Sequence, residues 1–260
     1  MEIVILPSLD EAAEIVAGRI ERLVAGAPDA VLGLATGSSP LPLYRALRRR
    51  VERGFDLSRV RGFALDEYVG LGPDDERSYA ATIEREVTRP LGLDPALVRV
   101  PDGGATDLPK AAAEYEEAIA AAGGVDLQVL GIGTLGHLGF NEPGSSLVSR
   151  TRVKTLTEQT RRDNARFFGS IDETPAHCLT QGLGTILEAR ALVLFASGEG
   201  KAAAVAAAVE GGVSARCPAS VLQLHPAVTV YLDEAAACRL ELAEYYRYTY
   251  EHKPAWQRDT

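Results

Sequence analysis

The chain has 260 residues, 46% of them hydrophobic and 24% charged, the ordinary mix of a soluble globular protein and a length that fits one α/β domain. A formal net charge of −9 argues against broad binding to nucleic acid or an anionic membrane, yet leaves room for an anionic small molecule held by a few local cations. No apolar run approaches the roughly 20 residues of a membrane span, and the N-terminus lacks a basic region or cleavage pattern. Cys178, Cys217 and Cys238 form no metal-ligand spacing, so a cytoplasmic protein with buried free thiols is expected.

Residues 2–6 alternate like a strand. Ser8 and Asp10 are cap candidates for a helix over 10–25, with Ala12, Ile15, Val16, Ile20 and Val24 on one face. Residues 30–35 predict a second buried strand, and Pro40 suits the first turn of a helix running to about Arg53. A third strand spans 60–65 and ends at Asp66-Glu67. After the acidic turn at 73–76, a helix is predicted over 77–87, then a short strand over 96–101 and a helix over 109–122 whose inner face holds Tyr115 and Ile119. The apolar run 125–132 reads as a strand buried on both faces. The Arg-, Thr- and Ser-rich stretch 144–180 predicts two short strands and a helix. Residues 182–189 look helical, 191–196 form a strand, 199–209 an Ala-rich helix, 227–232 the last strand and 240–251 a Tyr-rich helix. With no repeat and no linker, the expectation is one domain over 1–260. Alternating strands and helices predict a doubly wound, mostly parallel sheet with helices on both faces, a three-layer sandwich.

Chemistry concentrates just after the strand at 125–132. Gly131, Gly133, Gly136 and Gly139 let backbone approach a ligand, and among them stand His137, Asn141 and Glu142. In open α/β sheets ligands bind beyond the carboxyl ends of the strands. A tight turn with a capping Asn and a surface Glu would produce the same spacing. Two further groups fall on the same rim. Thr36-Gly37-Ser38-Ser39 lies between a strand and a helix, where backbone N–H groups and hydroxyls can hold a phosphate, or where Ser39 can simply cap. Without the Walker lysine, a nucleoside triphosphate is disfavoured. Asp66, partly desolvated, could act as a general base on carbon, or cap the next element. Histidine exchanges protons near neutral pH, which fits His137 for a sugar oxygen or for a structural hydrogen bond. No third or fourth partner at metal-ligand spacing accompanies His137 and Glu142.

The segment Gly131-Ile-Gly-Thr-Leu-Gly-His-Leu-Gly-Phe-Asn-Glu-Pro143, followed by Gly-Ser-Ser-Leu147, resembles the signature of the glucosamine-6-phosphate deaminase/isomerase family. The likeness continues in order through Leu34-Ala-Thr-Gly-Ser-Ser-Pro40, Leu65-Asp-Glu-Tyr-Val-Gly70, Ser149-Arg-Thr-Arg-Val-Lys-Thr155 and the region of Lys201. The related 6-phosphogluconolactonases share the Gly-rich loop but not the Asn-Glu-Pro tail. The resemblance implies the same three-layer fold and the conversion of glucosamine 6-phosphate to fructose 6-phosphate and ammonia, without a cofactor or metal. It implies that Asp66 abstracts the proton, with Glu67 supporting, and that His137 paired with Glu142 opens the pyranose ring. Thr36, Gly37, Ser38, Ser39, Gly136, Arg166 and Lys201 would hold the sugar phosphate, the two cations otherwise reading as surface charges. Ser145, Ser146, Arg152 and Lys154 match a second, allosteric phosphate site of hexameric members. The C-terminal tyrosines do not align with the contact that such activation needs, and subunit number stays open between monomer and homo-oligomer.

One position departs from the pattern. The family usually has Asp or Asn two residues before the histidine, and here that residue is Leu135, which can neither donate nor accept a hydrogen bond. The expectation is an enzyme that opens the ring more slowly, with Glu142 as the main partner of His137. The alternatives are an altered preference, such as galactosamine 6-phosphate, or a sugar-phosphate sensor without catalysis. The chain's acidity and the retention of Asp66, His137 and Glu142 weigh against a sensor.

Overall fold

A computed structural model describes residues 1–72, 74–254 and 257. In chain order its elements are β1 (Glu2–Leu6), α1 (Leu9–Gly26), β2 (Val31–Leu34), α2 (Leu41–Val51), β3 (Arg61–Ala64), β4 (Asp66–Tyr68), α3 (Tyr79–Ile83), α4 (Arg89–Leu91), β5 (Val98–Arg99), α5 (Leu108–Ala121) and β6 (Leu127–Gly131). Then follow β7 (Arg152–Thr155), α6 (Glu158–Asn164), β8 (His177–Thr180), α7 (Leu183–Leu187), β9 (Leu192–Ala196), α8 (Ala202–Val209), β10 (Val228–Asp233), α9 (Glu234–Ala237) and α10 (Ala243–Glu251).

Seven strands form one sheet in the order β1-β10-β9-β6-β2-β3-β5, parallel at every pairing. From β2 the chain moves outward to β3 and β5. It then returns to insert β6 beside β2 and moves the other way through β9 and β10. The strand order therefore reverses between β2 and β6, and an open α/β sheet offers its ligand crevice at the carboxyl ends of such a pair. The core fills the two faces: Leu127, Val129 and Leu130 of β6, every residue of β9, and the helix stripes all lie buried.

The doubly wound, mostly parallel architecture expected from the alternation is what the chain forms. Several local expectations need correction. On α1 the buried stripe is Ala12, Ala13, Val16, Ala17, Ile20 and Val24, and Ile15, one step around the helix, is exposed. Ser8 rather than Asp10 caps that helix. The helix expected at 77–87 starts only at Tyr79, because Ser78 caps it by accepting from Ala81 N at 2.9 Å, and it runs on through a wider turn at Glu84–Thr88 into α4. Pro73 of the acidic turn lies outside the described residues. The strand expected at 96–101 shrinks to β5, since Asp94 caps a short turn at Pro95–Leu97. A 3-10 turn at Glu199–Lys201 precedes α8, and α10 begins at Ala243. Cys178 and Cys217 are buried thiols, whereas Cys238 is exposed.

The largest difference is a second sheet. β4, β8 and β7 pair antiparallel in that order, with Asp66 opposite Thr180 and Arg152 on the other side of Thr180. Asp66 and Glu67 therefore open a strand of their own instead of ending the third one.

Candidate active site

The carboxyl ends of β2, β6 and β9, together with β4, bring the candidate residues to one mouth. The loop after β2 carries Thr36 to Ser39, half-exposed or exposed. Helix α2 behind it has Pro40 at its N-cap position and no side-chain cap, so Ser39 does not serve as a cap and the first N–H groups of α2 keep their capacity to bind an anion. The Ser39 side chain lies against Gly131 at the end of β6, about a van der Waals contact from where a Cβ there would stand (3.7 Å).

The loop from Gly131 to Glu142 is built around the imidazole. A Cβ on Gly133 would stand 2.0 Å from His137 Nε2, so the ring occupies the space that only a glycine leaves. Gly133 N donates to His137 O at 3.0 Å and Gly136 N to Gly133 O at 2.9 Å, closing the turn. Gly136 packs on Cys217, whose sulfur would be 2.6 Å from a Cβ there. Asn141, wholly buried, donates to Leu138 O (2.9 Å) and Gln181 O (2.8 Å) and accepts from Arg152 Nη1 (2.8 Å). One amide thus ties the loop to itself, to the end of β8 and to β7.

His137 Nδ1 lies 3.4 Å from Glu142 Oε2, a charge contact too poorly aligned to count as a formed hydrogen bond. Catalytic hydrogen bonds are often this loose before a ligand arrives. Glu142 Oε1 accepts from Thr157 N and Thr157 Oγ1, both at 3.2 Å. Burial alone would raise the Glu142 carboxyl, but the contacts to His137, Thr160 and Thr157 outweigh it and bring it down to about 2.

Asp66 meets the same loop from the small sheet. It is 5% exposed, and its Oδ2 lies 3.0 Å from the position of a Cβ on Gly139, two residues after His137. Burial first, and then the neighbouring Glu67 charge, push the Asp66 carboxyl up to about 8, with the Phe140 N–H pulling the other way. Its neighbour is differently employed. Glu67 accepts from Tyr68 N (2.8 Å), Tyr79 N (2.9 Å) and Ala80 N (2.8 Å), so both oxygens hold the start of α3. That leaves Glu67 a supporting place behind the cleft rather than a ligand contact.

The two cations share a further rim, beside Asp163. Lys201 opens the way into α8 and is half-buried; burial lowers its pKa, with Asp163 opposing and Arg166 reinforcing that shift. Arg166 follows α6, is exposed, and lies over the Phe167 ring at 4.7 Å. Asp163 joins this rim to the imidazole loop by accepting from Thr134 Oγ1 at 3.3 Å. Leu135 sits at the loop's tip, 39% exposed. Ser145 is buried with an unpartnered hydroxyl, Ser146 accepts from Val148 N at 3.4 Å, and Arg152 and Lys154 share one face of β7. Among the described residues no group of three or more His, Cys, Asp or Glu could hold a metal ion, and no helix is long and apolar enough to cross a membrane.

Sequence reasoning missed Tyr79, whose ring stacks on Phe140 (5.8 Å, 12°) beside Asp66. It also missed Asn141 as a tie; its position inside the motif was the available signal.

Comparison with known proteins identifies the chain's relatives. The family described as Glucosamine-6-phosphate isomerases/6-phosphogluconolactonase matches residues 8–231. The chain is 61% identical to a glucosamine-6-phosphate deaminase of Arthrobacter sp. (strain FB24), with 99% of each chain covered. It is 58% identical to one of Streptomyces coelicolor, again over 99% of both. Among solved structures, a monomeric glucosamine-6-phosphate deaminase superposes with a TM-score of 0.87 at 41% identity, covering 92% of this chain and 100% of that one. A 6-phosphogluconolactonase of Thermotoga maritima shares the fold at a TM-score of 0.69 and 20% identity, covering 89% and 98%.

Proposed function

The chain belongs to the glucosamine-6-phosphate isomerase/6-phosphogluconolactonase family, and from that premise we propose that it converts glucosamine 6-phosphate and water to fructose 6-phosphate and ammonia. The observation that carries this reading is the single loop that bears His137 and Glu142, touches Asp66 at Gly139 and touches the Thr36–Ser39 loop at Gly131.

The phosphate sits at the Thr36–Ser39 loop and the uncapped start of α2, gripped by Lys201 as a point charge and Arg166 as a planar fork. His137, with Glu142 3.4 Å from its Nδ1, exchanges the proton between ring oxygen and the C1 hydroxyl, which opens the pyranose. Asp66 then takes the C2 proton. Its raised affinity for protons makes it a strong base once ionised, and burial keeps water from competing. The same group returns the proton to C1, leaving an imine at C2 that water hydrolyses with release of ammonia. No electron leaves the substrate, so acid and base groups suffice.

The test is ammonia release by purified protein from glucosamine 6-phosphate, with galactosamine 6-phosphate and 6-phosphogluconolactone run alongside. Equimolar ammonia and fructose 6-phosphate are expected from the first. Turnover of the galacto epimer alone would move the reading to that substrate, which would fit a specificity change around Leu135. Binding without any turnover would favour a sensor.

A further inference from the structure

Helix α6 has little to seat it on the core: of its seven residues only Thr160 is buried, so it lacks an apolar stripe. Polar contacts place it instead. At its start Thr157 caps it by accepting from Thr160 N at 3.2 Å. Near its end Asp163 accepts from Thr134 Oγ1 at 3.3 Å and is steadied by Gln159 Nε2 at 2.7 Å. Between them Arg161 donates to the carbonyls of Ile171 (2.7 Å) and Thr174 (3.1 Å). The partners of the two ends lie on either side of His137 in the chain, Thr134 before it and Glu142 after it. A short polar helix thus spans the imidazole loop from one shoulder to the other.

The contact at Glu142 is the closer one to the chemistry. The backbone N–H and the hydroxyl of Thr157 both donate to Glu142 Oε1, each at 3.2 Å. The hydroxyl thus gives its one proton to the carboxylate and a lone pair to Thr160 N. Leu156, in one buried apolar cluster with Phe140, donates its N–H to Ala176 O at 2.9 Å and fixes where Thr157 stands. Two donors on one oxygen settle the plane of the carboxylate. The other oxygen, Oε2, is buried and lies 3.4 Å from His137 Nδ1, which is buried too, and neither atom has a formed hydrogen bond among the described residues. A carboxylate with a purely structural task would have both buried oxygens met. We propose that Thr157 is a positioning residue for ring opening, whose two donors hold one oxygen of Glu142 so that the other is presented to His137. This rests on the function proposed above. Which imidazole nitrogen carries the proton is set by the partner of the other nitrogen, so a carboxylate free to turn would leave His137 without a fixed tautomer at the sugar oxygen.

The experiment uses Thr157→Val, which keeps the branched shape and the backbone N–H and removes the hydroxyl. Expected are a fall in kcat of about tenfold and a KM within about twofold of the parent, since no phosphate contact is touched. Thr157→Ser, which restores the hydroxyl, should recover most of the loss. With Glu142 already changed to Gln, Thr157→Val should lower kcat by less than about twofold further, the non-additivity of residues acting as a unit. A loss that persists in full in that background would reduce Thr157 to a helix cap and overturn the proposal, as would Thr157→Val within twofold of the parent in kcat. The nitrogen-15 resonance of His137 Nδ1, read by NMR at one pH in the substrate-free protein, should move in Thr157→Val and return in Thr157→Ser; a resonance that stays in place would also overturn it. This reading needs no turnover: a resonance that moves in a protein releasing no ammonia would keep the contact and sink the reaction assigned to the site.

Discussion

Strand β9 of the large sheet is buried at every residue and apolar throughout, whereas the strands of the small sheet interleave Asp66, Glu67, Arg152, Lys154 and Thr180 with their apolar residues. The large sheet gains from burial and places loops by its topology. The small sheet accepts two buried carboxylates side by side, and burial first, then the Glu67 charge, raises the proton affinity of Asp66. The difference teaches where this fold is stabilised and where stability is surrendered to chemistry. Strands that only pack can be apolar, while the strand proposed to abstract a proton carries a charge-bearing group out of water.

Four substitutions separate the two regions, taken from the largest effect to the smallest. Asp66→Asn should lower kcat by about 10³-fold or more in an ammonia-release assay. It should also stabilise the fold. The folded Asp66 holds its proton up to about pH 8, while in the unfolded chain an Asp gives it up near pH 3.9, so the folded state binds more protons across that window and loses stability as pH rises through it. The advantage of Asp66→Asn over the parent should therefore grow from about pH 4 to pH 8 in denaturant titrations, and kcat/KM of the parent should rise through about pH 8. A variant no more stable than the parent at pH 8 would show that the small sheet is not under this strain.

Leu127→Ala, at the amino end of β6 and away from the mouth, should cost about 3 kcal/mol of stability in the same titrations while kcat holds at a temperature where the variant stays folded. Glu142→Gln should lower kcat by about 10²-fold with little change in KM, since it removes the partner of His137 rather than a phosphate contact. The parent should also lose stability as pH falls from about 4 towards 2, where Glu142 takes its proton, and this loss should be smaller in the variant. Leu135→Asp should raise turnover by about threefold to tenfold by giving His137 a second polar neighbour; an unchanged or lower rate would mean that Glu142 alone orients the ring.

The large sheet was legible because its strands are apolar runs and their order of alternation with helices admits few topologies. Its mouth was legible through glycines followed by polar residues. The small sheet was not. β4 is three residues long and two of them are charged, while β7 alternates half-buried basic residues with exposed Val153 and Thr155, so neither gives an apolar period, and antiparallel partners 114 residues apart (Asp66 and Thr180) leave no local trace. Ile15 was misplaced because a helix stripe admits several registers when Ala fills the rest. Tyr79 was hidden for another reason: its place against Phe140 is set by a carboxylate twelve residues earlier that caps the turn it opens.

The buried amide of Asn141 has a kinetic corollary. Because it joins the carbonyls of Leu138 and Gln181 to the Arg152 guanidinium, the ribbon bearing the imidazole is expected to keep its contour when product departs. Each catalytic cycle begins from a frame set during folding, and no refashioning of that ribbon stands between one turnover and the next.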